Sequence, residues 1–211
     1  MNPVNELKII AQEVAVCTKC KLHHSRKHAV PGEGPANASI MFISEGPGFH
    51  ENEQGRPFVG AAGKLLEDLL GSIGLQRTQV YITNIVKCRP PGNRDPEPEE
   101  IQACNDYLER QIQAINPQVI VTLGRYSMGR FMPNGKISLI HGQAMRIKGR
   151  VIVAMYHPAA ALHQRSLLSV IQDDFSRLPE LLSQASQEVE VQEDEDPDPK
   201  SKGTATQLSL F

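Results

Sequence analysis

Four cysteines fall into two spaced pairs, Cys17-x2-Cys20 and Cys88-x15-Cys104, with none left over. Their neighbours are charged and polar, unlike the apolar surroundings of a cysteine buried as a small hydrophobe, so the set reads as a metal site. Zinc and an iron-sulfur cluster both accept four thiolates. The long second gap departs from the short pairs of a zinc ribbon and leans toward a cluster. A disulfide reading conflicts with the expected compartment: the amino terminus, MNPVNELKIIAQEVAV, has neither a long apolar run nor a small-residue cleavage site, so a cytoplasmic location is expected.

A second set of groups has the chemistry of a ligand site. Glu45, Asn84 and His157 each stand where an apolar run ends, and together they supply a carboxylate, an amide and an imidazole. The glycines of Ser44-Glu-Gly-Pro-Gly48 let the backbone approach a ligand closely. Lys19, Lys21, His23, His24, Arg26, Lys27 and His28 fall within ten residues. Such a cluster can meet phosphates, and it can equally be an ordinary solvated basic face.

Positioning these groups requires a framework, and the apolar pattern supplies one. Leu7, Ile10 and Val14 at helical spacing predict a helix over 5–16 that delivers Cys17 and Cys20. Buried strands are expected at 39–43, from Val80, and at 119–123, with helices over 61–73, from Glu97 through Cys104, and to Phe131. Residues 49–60 carry too much Gly, Pro and charge for a regular element. Residues 137–146 and 151–155 read as two further strands around Lys148-Gly149, and 162–182 as a helix. This alternation predicts an α/β fold: an open, mainly parallel sheet flanked by helices on both faces. In such sheets ligands sit beyond the carboxyl ends of strands, where Glu45, Asn84 and His157 would meet.

Taken jointly, Ser44-Glu-Gly-Pro-Gly48, Glu53-Gln-Gly-Arg-Pro-Phe-Val-Gly60, Tyr81-Ile-Thr-Asn-Ile-Val-Lys-Cys-Arg-Pro-Pro91 and His157-Pro-Ala159 resemble the motifs of family 4 uracil-DNA glycosylases, the iron-sulfur branch. The resemblance runs over about residues 5–182 in motif order and includes all four cysteines. It implies the three-layer α/β/α fold of those enzymes and a [4Fe-4S] cluster on Cys17, Cys20, Cys88 and Cys104. The implied activity is base excision repair: uracil is flipped out of single- or double-stranded DNA and its N-glycosidic bond is hydrolysed, leaving an abasic site.

Residue by residue, the resemblance implies that Phe58 stacks on the flipped base and that Asn84 reads its edge, accepting from N3–H and donating to O4. His157 would stabilise charge on the departing base near O2. Glu45 would orient water or stabilise an oxocarbenium-like sugar. Gly46, which the resemblance places among the base-binding residues, stands where the best-known branch has an aspartate. Leu162 would wedge into the duplex, although the usual Leu-Leu-Arg is here Ala161-Leu162-His163, and the loop carrying Arg89 and Arg94 would face DNA. In a related branch a histidine attacks the sugar carbon, which makes His141 a candidate nucleophile; the basic run preceding that histidine is missing here.

Beyond residue 184 the composition changes. Seven acids stand against two lysines over 185–211, a pattern of disorder, so the expected organisation is a catalytic domain over 1–184 and an acidic linker over 185–206. The last residues, Gln207-Leu-Ser-Leu-Phe211, resemble the peptide that bacterial replication and repair proteins insert into the sliding clamp, with Gln207, Leu208, Leu210 and Phe211 as the contacts. The resemblance implies a monomer. Two other classes remain compatible with the residues themselves: a non-enzymatic iron-sulfur DNA-binding sensor and a zinc-stabilised nucleotide-binding module.

Overall fold

The structure, a computed structural model, describes residues 2–184. The acidic linker and the Gln207–Phe211 peptide lie outside the described residues. Five strands form one sheet: β1 (Ile40–Ser44), β2 (Tyr81–Asn84), β3 (Val119–Leu123), β4 (Ala144–Ile147) and β5 (Arg150–Met155), in the order β2-β1-β3-β5-β4. The first four in that order run parallel, and only β4 pairs antiparallel, with β5. The expected open, mainly parallel sheet is therefore the observed one.

Strand alternation explains why the sheet is covered on both faces. In β1, Ile40 and Phe42 enter one core with Leu66, Leu70, Val121 and Phe175, whereas Met41 and Ile43 enter the other with Ile112, Ile120 and Ile152. Neither face reaches water, so all five residues of β1 are buried and the strand reads as a continuous apolar run. The helices that cover it are α1 (Pro3–Val16), α2 (Phe49–Gln54), α3 (Ala61–Ser72), α4 (Pro98–Ile115), α5 (Arg125–Phe131), α6 (Ile137–Ile140), α7 (Pro158–His163) and α8 (Leu167–Ser176). α4 begins with Pro98 in its first turn and a reciprocal capping box between Glu97 and Glu100, which satisfies amide groups that the helix itself leaves unpaired. Arg110 on α4 reaches both Glu6 and Glu13 on α1 and ties those two helices together.

Three sequence expectations are corrected. Residues 49–54 form the helix α2, ended by Gly55 in a left-handed conformation at φ 70°, so the polar composition masked a short helix with a glycine stop. Residues 137–140 are helical, and only Ala144–Ile147 of that stretch joins the sheet. The Lys148-Gly149 turn has positive φ at both residues, 50° and 76°, as a two-residue hairpin requires. The expected 162–182 helix starts earlier, at Pro158, and is interrupted: α7 ends at His163 and α8 starts at Leu167. No helix among the described residues is long and apolar enough to cross a membrane.

The chain forms β1, adds β2 on one side, then crosses over to place β3 on the other. That reversal of winding opens a crevice at the carboxyl end of the sheet.

Candidate active site

A cleft of about 820 Å³ occupies this crevice and is lined by Glu45, Gly46, Phe58, Asn84, Arg94 and His157, among others. Glu45 follows β1, Asn84 ends β2 and His157 follows β5, so three strand ends deliver the three polar groups as the sequence pattern anticipated. Gly46 keeps the wall close: a Cβ there would stand 2.8 Å from Val86 Cγ2.

His157 has a defined tautomer. Its Nδ1 accepts from the backbone N–H of Ala159 at 3.0 Å, capping α7, so in the neutral ring the proton resides on Nε2. Nε2 lies 2.8 Å from Ser44 Oγ. Burial pushes the His157 pKa down to about 4, against a smaller opposing pull from Glu51, and the ring is neutral at physiological pH. An Nε2–H donor therefore faces the cleft without a formal positive charge.

Glu45 shows the converse shift. Burial, and then the charge of Asp95, push its carboxyl up to about 7, with Arg125 opposing. A carboxyl near this value is a stronger base than an ordinary carboxylate and is about half ionised at neutral pH.

Phe58 packs against His157, ring centroids 5.4 Å apart and planes 20° from parallel. Its backbone is strained, with φ at 51°, and the strain is held from three sides. Arg77 donates to the carbonyls of Phe58, at 2.9 Å, and Pro57. Glu51 Oε1 accepts from Val59 N at 2.9 Å and Gly60 N at 3.0 Å. Gly63 supplies the third constraint, because a Cβ there would fall 2.0 Å from the Phe58 carbonyl oxygen.

Asn84 is 2% exposed, and its backbone carbonyl accepts from a buried lysine. Lys87 Nζ donates to the Asn84 carbonyl, Thr83 Oγ1 and Gln111 Oε1, each at 2.7 Å. Gln111 in turn donates to the Pro31 carbonyl at 2.6 Å and the Tyr81 hydroxyl at 3.2 Å. Burial lowers the Lys87 pKa to about 7, with Cys104 opposing. This network fixes the backbone beneath Asn84, and none of Lys87, Thr83 or Gln111 was identified from sequence as a site residue. One signal was available: a lysine inside the apolar run Ile85-Val86-Lys87 requires buried partners.

The four cysteines line a second, smaller cavity with Val14, Leu22, Lys87 and Tyr107. All four are free thiols; Cys88 and Cys104 are buried and Cys17 and Cys20 partly so. Three donors point at sulfur: Lys19 N to Cys17 at 3.5 Å, Arg26 Nη1 to Cys88 at 3.5 Å and Lys87 N to Cys104 at 3.3 Å. Among the described residues, no three His, Cys, Asp or Glu side chains are gathered to hold a single metal ion. Four thiolates on one zinc at about 2.3 Å would bring their sulfurs to roughly 3.8 Å from one another. Four thiols lining one cavity and met by N–H donors match the donor chemistry of an iron-sulfur cluster.

The remaining candidates are distributed differently. Arg94 lines the cleft, yet its guanidinium forms a two-pronged bond to Glu100, at 2.6 and 2.9 Å, and braces the start of α4. Arg89 is at the rim, bonded through Nε to Asn93 Oδ1 at 2.7 Å. Leu162 is half-exposed on α7, beside the cleft-lining Ala159, Ala160 and His163, so the expected wedge is carried by a helical turn. His141 is not among the cleft-lining residues; its Nδ1 pairs with buried Asp174 at 2.9 Å and its ring tilts against Tyr156.

Residues 31–179 match the family described as the uracil DNA glycosylase superfamily. The type-4 uracil-DNA glycosylase of Saccharolobus solfataricus is 49% identical over 190 residues, covering 85% of this chain and 88% of the relative. That of Archaeoglobus fulgidus is 46% identical over 84% of this chain and 94% of its own length. The type-4 enzyme of Thermotoga maritima is 40% identical over 84% and 95%.

Proposed function

Because this chain belongs to the uracil-DNA glycosylase superfamily, we propose that it removes uracil from DNA by hydrolysing the bond between base N1 and sugar C1′. The observation that carries the reading is the convergence of Glu45, Phe58, Asn84 and His157 on one cleft from separate segments. Uracil buried in a duplex is out of reach, so the nucleotide swings out into the cleft. Phe58 offers a ring face held rigid by its clamped turn, and Asn84 pairs with N3–H and O4 of the base.

As the N1–C1′ bond lengthens, its electron pair moves onto the base and negative charge accumulates at O2. The neutral Nε2–H of His157 turns from Ser44 to that oxygen and stabilises the departing anion. The Glu45 carboxylate supports the positive sugar and accepts a proton from the attacking water, whose hydroxyl joins C1′. The proton taken by Glu45 passes through solvent to the uracil anion, leaving uracil and an abasic sugar.

Cys17, Cys20, Cys88 and Cys104 would hold a [4Fe-4S] cluster, whose iron–thiolate bonds cross-link the helix α1 exit, the loop after β2 and α4. Four thiols on one cavity, three of them met by N–H donors, support that assignment. Cys88 lies four residues beyond Asn84, so the same cross-link orders the loop that meets DNA. Anaerobically purified protein should absorb at about 400 nm, and Cys88→Ser should lose that absorbance and weaken DNA binding before it slows chemistry on bound DNA. Gln207–Phe211 serves as a tether to the sliding clamp; deleting those residues should abolish clamp capture and leave short-oligonucleotide activity intact.

The enzyme reading is tested with an oligonucleotide carrying one uracil. Incubation followed by hot alkali should cleave the strand at that position, and an intact strand would sink the proposal.

A further inference from the structure

We propose that Phe49 and Arg89 form a stacking platform at the cleft rim that receives the base next to the flipped uracil on the same strand. The inference rests on the DNA-repair reading above and extends it to a site outside the uracil pocket. Phe49 is 53% exposed, an unusual state for a large aromatic ring, and it directly follows Gly48, a cleft-lining residue. Arg89 places its guanidinium carbon 5.3 Å from the centre of that ring, and His50 packs edge-on against it at 5.5 Å. The arginine is held there by Asn93, and both Asn93 and Pro90, the residue after Arg89, line the same cleft. The platform is therefore continuous with the pocket wall.

An exposed aromatic ring with a guanidinium over one face matches the two parts of a nucleotide. The ring accepts an unstacked base, and the cation meets the adjoining phosphate. Flipping one nucleotide strips its neighbour of a stacking partner, so a surface at the pocket mouth that replaces the lost contact stabilises the flipped state. Stacking of this kind tolerates any base, because every base has a π-face. It would act on single strands and duplexes alike, which separates it from a wedge such as Leu162, whose task exists only in a duplex.

The test uses single-stranded oligonucleotides containing 2′-fluoro-2′-deoxyuridine, which resists hydrolysis, with fluorescent 2-aminopurine on one side or the other. Wild-type protein should quench 2-aminopurine at one of the two neighbouring positions. Phe49→Ala should abolish that quenching and raise Kd by roughly 10-fold, while Phe49→Trp should retain both. When the neighbouring nucleotide is made abasic, wild type should weaken to the level of Phe49→Ala and the two proteins should coincide. Equal quenching and affinity in Phe49→Ala and wild type would overturn the proposal. So would a loss of the same size on the abasic-neighbour strand, which would mean that Phe49 supports the fold or meets a protein partner. Uracil release, scored on the same wild-type preparation with ordinary deoxyuridine, separates the two claims: absent release with intact quenching removes the enzyme reading and leaves the platform standing.

Discussion

The cleft and the cysteine cavity are four residues apart along the chain, from Asn84 to Cys88, yet they are organised by opposite means. The cleft is ordered by hydrogen bonds internal to the protein: Arg77 and Glu51 hold the strained Phe58 turn, Ala159 fixes the His157 tautomer, and Lys87 fixes the Asn84 carbonyl. The cavity gathers four thiols in an apolar setting formed by Ile10, Val14, Leu22, Val86 and Tyr107. Burial there raises the Cys20 and Cys88 pKa values and pushes Cys104 up to about 11, so the protein alone favours protonated thiols. The contrast teaches that the chemical surface is preorganised by hydrogen bonds of the polypeptide, whereas the proposed cluster would be what orders the thiols beneath it.

The strongest way to break this division is His157→Ala. Loss of one preorganised donor to the departing base should lower kcat by about 10²–10³-fold. The accompanying loss of stability should be limited to a helix cap, about 1 kcal/mol by urea unfolding. A large fall in stability with kcat unchanged would reassign His157 to the framework.

The pH profile is the next test. In the proposed role Glu45 acts as a carboxylate; with its pKa raised to about 7 it should be increasingly protonated, and inactive, as pH falls below that value. Single-turnover uracil release should therefore drop about tenfold per pH unit well below pH 7 and level off above pH 8. His157, held down at about 4, stays neutral through that range and adds no second limb. Glu45→Gln should flatten the profile as well as lower the rate.

Lys87→Met sharpens the comparison because Lys87 belongs to both regions. It keeps most of the side-chain volume but leaves three buried acceptors without their donor, which should cost about 1–3 kcal/mol in urea unfolding. Asn84 loses its support at the same time, so KM for uracil-DNA should rise; unchanged KM would separate the network from recognition. The smallest effect is expected at Arg56, whose pair with Glu33 is largely exposed on the arginine side. Arg56→Ala should cost no more than about 1 kcal/mol and leave activity alone.

The parallel strands β1, β3 and β5 were legible because they are mostly apolar runs, as parallel strands buried on both faces are, whereas the half-exposed antiparallel β4 was misplaced. The three polar groups of the cleft were legible as well, since each occupies a strand's carboxyl end. What escaped were groups whose role depends on partners distant in sequence. Glu51 accepts from Val59 and Gly60, eight and nine residues on, and Arg77 reaches back twenty residues to Pro57. Arg94 reads as a DNA contact by charge alone, and only the fold reveals Glu100 in its fork. α2 escaped because its six residues, Phe-His-Glu-Asn-Glu-Gln, bury little more than Asn52, so no apolar stripe marks the helix.

The cleft built from Glu45, Phe58, Asn84 and His157 is where the proposed uracil release takes place. The direct measurement is free uracil liberated from a single-uracil oligonucleotide by wild type, Asn84→Ala and His157→Ala, under single-turnover conditions with enzyme in excess. Wild type should release one uracil per strand, and each variant should be slower by at least about 10²-fold. Equal rates in all three would contradict the account, because the base would then be leaving from some other site.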